Sequence, residues 1–515
     1  MQTRSLILKN QYHDSVVLMR VSQQLKDQPG VEDAALIMGT EVNKELLAQG
    51  KLLTQEANSA QANDLIIVVT CEQDADDLLA LAQKMLVAKQ PPAAVGVSAP
   101  STLRSAVRAD PALNMAVISV AGAYAVREAR EALAAGLLVL LFSDNVPLQD
   151  EIALKRFAVE RGLLLMGPGA GTSIINGVGL GFANALRREH IGIVSAAGTG
   201  LQEVSSLITQ YGGGVSQAIG TGGRDLHAEV GGLTFFAAIQ ALQADPNTYV
   251  LVLISKPPAP EVVERLVDQL QGSQKPVVLC LLGAQELGED SENLHFTSTL
   301  EECAQRAFAL AEPSSTRIPS FTDDGILMKD VPRKRAGLLP EQRYLRGLFS
   351  GGTLCYEAQA VWRTLLEEKV YSNAPIQKDL LRSDADRWGC HYVVDLGEEE
   401  FTKGRPHPMI DNTLRIERMW QEARHPETAV IFLDLVIGYG AHPDPAGEIG
   451  EAIRDMRREL QQNEREVIFV ASVTGTEFDP QGLTPSREIL HSSGVLVCSS
   501  NAQAARLAAR LVEKR

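Results

Sequence analysis

The chain has 515 residues and a formal charge of −16, from 48 Lys and Arg against 64 Asp and Glu. It is too long for a peptide hormone or one small module, and too acidic to favour phosphodiester backbones or anionic lipid surfaces. Its 45% hydrophobic and 22% charged content belongs to a folded globular protein rather than a disordered one. At roughly 150 residues per domain, the length predicts about three to four domains.

The N-terminal run MQTRSLILKNQYHDSV is broken by Lys9 and Asn10 before it could form a signal core, and reads as a first strand. No stretch approaches the roughly 20 apolar residues of a membrane span, so a cytosolic location is expected. The six cysteines, Cys71, Cys280, Cys303, Cys355, Cys390 and Cys498, form no CxxC pair. That spacing predicts buried thiols and neither zinc nor redox motifs, and no metal is expected. Short apolar runs followed by helical periods recur: Asp64–Val69, Asn114–Val120, Leu137–Ser143, Tyr249–Ser255, Pro276–Gly283 and Ala429–Val436. This alternation predicts an α/β protein of βαβ units on parallel sheets. Two stretches rich in Pro, Ser and scattered charge, Lys89–Thr102 and Glu312–Glu341, read as linkers. The expected division is an N-terminal βαβ-type domain over 1–90, a block over 105–186, a domain over 190–311, a linker over 312–342 and a last domain over 343–515.

The last two domains repeat one another in order. IVSAAGTGLQEV (Ile193–Val204) corresponds to LFSGGTLCYEA (Leu348–Ala358), each a strand, a small-residue turn ending in Gly-Thr, and a helix start. IGTGGRDL then matches VVDLGEEEF, VLISKPPAPEVVERLV matches LDLVIGYGAHPDP, and VVLCLLG matches VIFVASVTG. A final strand and helix close each copy. Two flavodoxin-like, doubly wound domains are predicted.

In such sheets ligands lie beyond the carboxyl ends of the strands, where helix N-termini offer N–H groups. Three glycine-dense loops fall there. They supply Gly167, Gly171 and Thr172; Gly198, Thr199 and Gly200; and Gly351, Gly352 and Thr353 as candidates for holding a phosphate or carboxylate. Tight strand-to-helix turns need glycine too, and none of the three is a Walker A loop. KGRPHPMIDNTLR sets Arg405, His407, Asp411 and Arg415 around stiffening prolines. A guanidinium fork beside an imidazole suits anion binding and proton transfer, and a solvated turn is the alternative. GTGGRDLHAEVGG offers Arg224, Asp225 and His227 as a substrate loop or a structural turn. Lys256, ending a strand before Pro257-Pro258, is a cation for an anionic substrate or a solvated loop lysine. Asp434, inside an apolar strand, needs a partner if buried, and His295 reads as a packed histidine.

From about Met115 onward the chain resembles the succinyl-CoA synthetase superfamily, the nucleoside-diphosphate-forming acyl-CoA ligases. The segment ISVAGAYAVREAREALAAGLLVLLFSDNVPLQDEIALKRFAVERGLLLMGPGAGTS is similar to the end of the CoA-binding, Rossmann-like domain of the ligase α subunit. IVSAAGTGLQEV falls where the α-subunit CoA-ligase domain begins, and the block from Phe349 looks like its β-subunit counterpart. FSDNV, GGRDL, SKPPA, GRPHPMID and VTGTE are similar to the FdrA-type members over the whole chain. The resemblance implies CoA as cofactor and a small anionic substrate, either an acyl-CoA or carbamoyl phosphate. It also implies a separate protein subunit completing the site; in the carbamoyl phosphate reading Arg405, His407, Arg224 or Lys256 would be catalytic, neutralising charge that develops on the leaving phosphate. Three readings follow: an acyl-CoA synthetase-like subunit, a subunit of a carbamoyltransferase using a small carboxylate or amide such as oxamate, or a non-catalytic scaffold. The chain departs from the ligase pattern at two places. AQELGEDSENLHFTSTLEE stands where the ligases carry the Gly-His-Ala-Gly-Ala phosphohistidine loop, and Lys256 stands where they carry the orienting glutamate. No segment is left over for an ATP-grasp domain.

Overall fold

The computed structural model describes residues 2–11, 13, 15–26, 28–40, 43–44, 47–48, 50–72, 75–87, 100, 102–284, 289–313, 325–402 and 405–513. It divides into two units, Met1–Ala109 with Lys403–Pro406, and Asp110–Thr402 with His407–Arg515. Almost all of the expected linker Lys89–Thr102 lies outside the described residues.

In the first unit β1 (Gln2–Leu8) and β2 (Val31–Met38) flank β3 (Leu65–Cys71), each antiparallel to it. Leu65, Ile67 and Val69 face Leu18, Val21 and Leu25 of helix Ser15–Lys26 and Leu78 and Leu86 of helix Ala75–Val87. Ile66 and Val68 face Leu47, Leu52 and Ala57 on the other side. The expected βαβ order is present but split, because β3 inserts between β1 and β2. An unbroken apolar run marks a strand covered on both faces and carries no signal of its direction.

The second unit opens with a parallel sheet of β4 (Met115–Ile118), β5 (Leu138–Leu141) and β6 (Leu165–Met166), joined by helices Gly122–Ala134 and Leu148–Val159. A hairpin of β7 (Thr172–Ile175) and β8 (Val178–Gly181) follows. Next come β9 (Ile191–Ser195), β10 (Val215–Gly220), β11 (Val250–Ser255), β12 (Val277–Leu281) and β13 (Leu294–Phe296), in the order β13-β12-β11-β9-β10-β7-β8. The hairpin thus joins this sheet, ahead of the expected boundary at 186. The last sheet contains β14 (Tyr344–Phe349), β15 (Val370–Ser372), β16 (His391–Asp395), β17 (Thr428–Val436), β18 (Ile468–Thr474) and β19 (Leu496–Cys498), in the order β15-β16-β14-β17-β18-β19.

Setting aside the hairpin and β15, both large sheets read 2-1-3-4-5 from β9 and from β14. That is the flavodoxin-like order the repeat predicts. The two repeats share one core, in which Leu201, Val204 and Leu207 meet Ala307 and Phe308, Leu354, Ala358 and Trp362, and Ala505 and Leu507. The stretch expected as a linker over 312–342 contains helix Gly325–Ala336, and Val331 and Leu338 are buried in this core. Pro332 sits inside that helix, which is why composition alone signals a break there. All six cysteines are buried, and no helix among the described residues is long and apolar enough to cross a membrane.

Candidate functional site

Each repeat's first strand runs into small residues, Ala196-Ala197 after β9 and Ser350-Gly351 after β14, so a helix can start without its side chains blocking the crevice. Helix Gly198–Gln210 follows β9 and helix Gly352–Leu365 follows β14. Their N-termini meet: the Thr353 N–H donates to the Thr199 hydroxyl at 3.2 Å. A Cβ on Gly200 would stand 2.9 Å from Thr353 Cγ2, and one on Gly351 2.8 Å from Thr199 Cγ2. Glycine is required by this approach and not only by the turn. Gly198 remains exposed and Gly352 partly so, leaving both positive helix ends open to one crevice.

Two side chains from neighbouring strand ends enter it. Lys256 follows β11 and Asp395 ends β16; a Cβ on Gly352 would lie 3.2 Å from Lys256 Nζ and 2.4 Å from Asp395 Oδ2. Burial pushes the Asp395 carboxyl up to about 7, against the pull of the Lys256 ammonium and the Gly397 N–H that it accepts at 2.9 Å. A carboxyl poised there exchanges a proton near neutrality. His407 is next in line. A Cβ on Gly397 would stand 3.1 Å from Asp395 Oδ1 and equally 3.1 Å from His407 Nε2. Burial pushes this imidazole down to about 4, and Nδ1 accepts the Met409 N–H at 3.2 Å, so the neutral ring carries its proton on Nε2.

The turn leading into helix Gly352–Leu365 is held from below. Asp434, buried in β17, accepts the Ser350 and Gly351 N–H groups, each at 2.8 Å, and the Ser350 hydroxyl at 3.1 Å. Its partner is the equally buried Arg415, 2.7 Å from Oδ1, which also bonds the Leu348 carbonyl at 3.0 Å. Arg415 thus leaves the expected polar cluster at 403–415 and serves the interior.

A second group of loops adjoins the first through aromatic rings. Phe182 lies with its centroid 5.7 Å from that of His407 and 5.5 Å from that of Phe142, and a Cβ on Gly171 would be 3.6 Å from its ring. Gly167 has φ +109°, and a Cβ there would strike the Leu141 carbonyl at 2.2 Å. Thr172 is buried in β7 and is not on an open loop. Arg224, read from the sequence as part of either a substrate loop or a structural turn, bonds the Val146 carbonyl at 2.8 Å and pairs with Glu151 at 2.8 Å. Beside it the fully buried Lys155 bridges Asp225 at 2.6 Å and Glu151 at 3.1 Å. This reads as a brace between helix Leu148–Val159 and the loop after β10, and His227 is exposed. Arg405 is exposed. His295 is buried on β13, 3.4 Å from Asp290. Residues 285–288, the QELG of the AQELGED stretch, lie outside the described residues.

Sequence reasoning passed over Asp395 and Phe182. Asp395 carried a signal, an acid followed by Leu-Gly at the end of an apolar strand. Phe182 carried none.

The CoA-ligase family matches residues 348–511, and the family described as AllF, heavy metal-associated domain, matches 1–101. A soft heavy metal prefers thiolate and imidazole ligands. The first unit contains one cysteine, Cys71, buried in β3, and among the described residues no three His, Cys, Asp or Glu cluster, so the residues present do not fit such an ion. Succinate–CoA ligase [ADP-forming] subunit alpha of Aquifex aeolicus is 31% identical over 36% of this chain and 62% of its own length. A solved structure, a dinucleotide forming acetyl-coenzyme A synthetase 1 of Ca. Korarchaeum cryptofilum, covers 82% of this chain and 86% of its own at 12% identity. Its TM-score is 0.35, too low to carry an argument. YahF of Escherichia coli is 43% identical over 100% of this chain and 99% of its own length. The chain therefore belongs to the YahF family, within the acyl-CoA synthetase-like superfamily that carries the CoA-ligase domain.

Proposed function

We propose that the chain is the CoA-handling subunit of an acyl-CoA synthetase-like enzyme. In this reading the loop around Gly167 and Gly171 receives CoA, and the crevice between the two helix N-termini holds a phosphoryl group. One observation carries it: two open helix N-termini, a lysine ammonium and a carboxyl poised near neutrality converge on one point. The relatives named as succinate–CoA ligase alpha subunits favour CoA and a partner subunit, which would supply nucleotide activation.

The chemistry then follows from the residues. An acyl phosphate lies with its phosphoryl oxygens on Lys256 and the N–H groups of Gly198 and Gly352. The CoA thiol gives its proton to the Asp395 carboxylate, the sulfur attacks the acyl carbon, and the carbon–oxygen bond to phosphorus breaks. Inorganic phosphate leaves with its added charge on Lys256 and the helix ends. The His407 Nε2–H stands beside Asp395 as a donor to the acyl oxygen.

A second reading rests on the cation at Lys256 and on the sequence AQELGED, which offers no histidine for a phosphoenzyme. The same crevice would then take carbamoyl phosphate, as the FdrA-type resemblance suggests, with an amine or amide attacking the carbamoyl carbon. Calorimetric titration with CoA and with carbamoyl phosphate separates the two. Saturable CoA binding supports the first reading, and carbamoyl phosphate binding lost in Lys256→Ala supports the second. Binding of neither, with a partner protein still captured, would leave only a scaffold.

A further inference from the structure

Glu203 and Glu357 hold the same place in the two repeats, five residues beyond the glycines that start helices Gly198–Gln210 and Gly352–Leu365. Both are buried, and neither reaches the crevice. Glu203 Oε1 accepts the N–H of Asn501 at 3.0 Å, and its Oε2 accepts the Thr474 hydroxyl. Glu357 Oε1 accepts the N–H of Leu300 at 2.6 Å, and its Oε2 accepts from Asn501 Nδ2 at 2.7 Å. Leu300 starts the closing helix of the first repeat and Asn501 that of the second.

Each glutamate therefore closes the last helix of the other repeat. The local caps leave room for this: Thr299 takes the Glu302 N–H and Ser500 the Gln503 N–H, so the first N–H of each helix is free for a distant carboxyl. The exchange runs through one connected series, Thr474, Glu203, Asn501, Glu357 and Leu300, across the seam between the repeats. Nothing in a single repeat requires a buried acid at this point of its first helix. The pairing has meaning only when both repeats are present.

We propose that Glu203 and Glu357 are a reciprocal pair of positioning residues, which fix the two crevice-facing helix N-termini opposite one another by exchanging helix caps between the repeats. The functional half of this rests on reading the crevice as an anion site; the exchange of caps does not. Burial pushes the Glu357 carboxyl up to about 8, so a neutral glutamine is its closest stand-in.

The test is hydrogen exchange read by mass spectrometry on the full chain, beside calorimetric titration with inorganic phosphate. Glu357→Ala should lose protection at Leu300–Cys303 in the opposite repeat, and Glu203→Ala at Asn501–Ala504. Phosphate should bind about tenfold more weakly or worse in both, although neither residue touches it. Glu357→Gln, which also serves if the alanine variants fail to fold, keeps an acceptor oxygen for the Leu300 N–H and should restore protection at Leu300–Cys303 and with it phosphate affinity, although its amide nitrogen cannot accept from Asn501 Nδ2. Loss of protection confined to the substituted repeat would overturn the exchange of caps. Unchanged phosphate affinity despite lost protection would overturn the positioning role. A native chain that binds no phosphate would remove the anion site, and exchange would still judge the caps.

Discussion

Lys256 and Asp395 illustrate how a crevice sets side-chain chemistry. Each stands at the end of a strand, so the backbone delivers it to the rim, and the helix ends opposite supply the complementary field. Replacing Lys256 with Ala removes the one ammonium placed there by these strand ends. Affinity for the anionic ligand should fall about tenfold or more while the melting temperature is held, since a partly buried loop lysine contributes little to stability. Asp395 carries a pH signature. Its native carboxyl titrates near 7 and an unfolded one near 3.8. Between these values the native state keeps a proton that the unfolded chain has released, so stability should decline as pH rises from about 4 to 7. Asp395→Asn should flatten this slope in urea unfolding series across that range, and an unaltered slope would contradict the assignment.

At the scale of the element, the turns into the two crevice helices differ in their tolerance. Nothing lies within 4 Å of a Cβ on Gly198, whereas one on Gly352 meets Asp395 at 2.4 Å. Gly198→Ala should bind ligand like the native chain, and Gly352→Ala should displace the carboxyl and weaken binding in the same titration. Beneath the second turn, Arg415 and Asp434 form a buried ion pair that anchors β14 to helix Gly352–Leu365. Removing one partner of such a pair leaves the other charge desolvated. Arg415→Leu should therefore cost about 3–5 kcal/mol, measured by denaturant unfolding. Both helices and both turns were legible from the repeated Gly-Thr pattern. The ion pair was half legible: a buried Asp434 demanded a partner, but nothing along the chain distinguished Arg415 from the other cations of its loop.

For the whole molecule, the shared core makes the two flavodoxin-like repeats one cooperative body. Leu201, Trp362, Phe308 and Ala505 pack in a single cluster although they come from both repeats. Calorimetry should show both repeats melting in one transition, with the first unit, which has its own apolar clusters, free to melt separately. Separate transitions for the two repeats would argue against a common core.

The sequence by itself determined the class, the two repeats and their strand order, because apolar strand runs, glycine turns and helical periods are local signals that each segment carries alone. It also named Lys256, His407 and the Gly-Thr helix starts, since strand ends and small-residue turns mark the rim of an α/β sheet. Only the tertiary structure decided which polar residues meet. It paired Arg224 with Glu151, brought Asp395 beside Lys256, and crossed the caps of Glu203 and Glu357. Such meetings join residues scores or hundreds of positions apart, and their energies depend on burial and on the neighbour across the seam, neither of which a linear pattern contains.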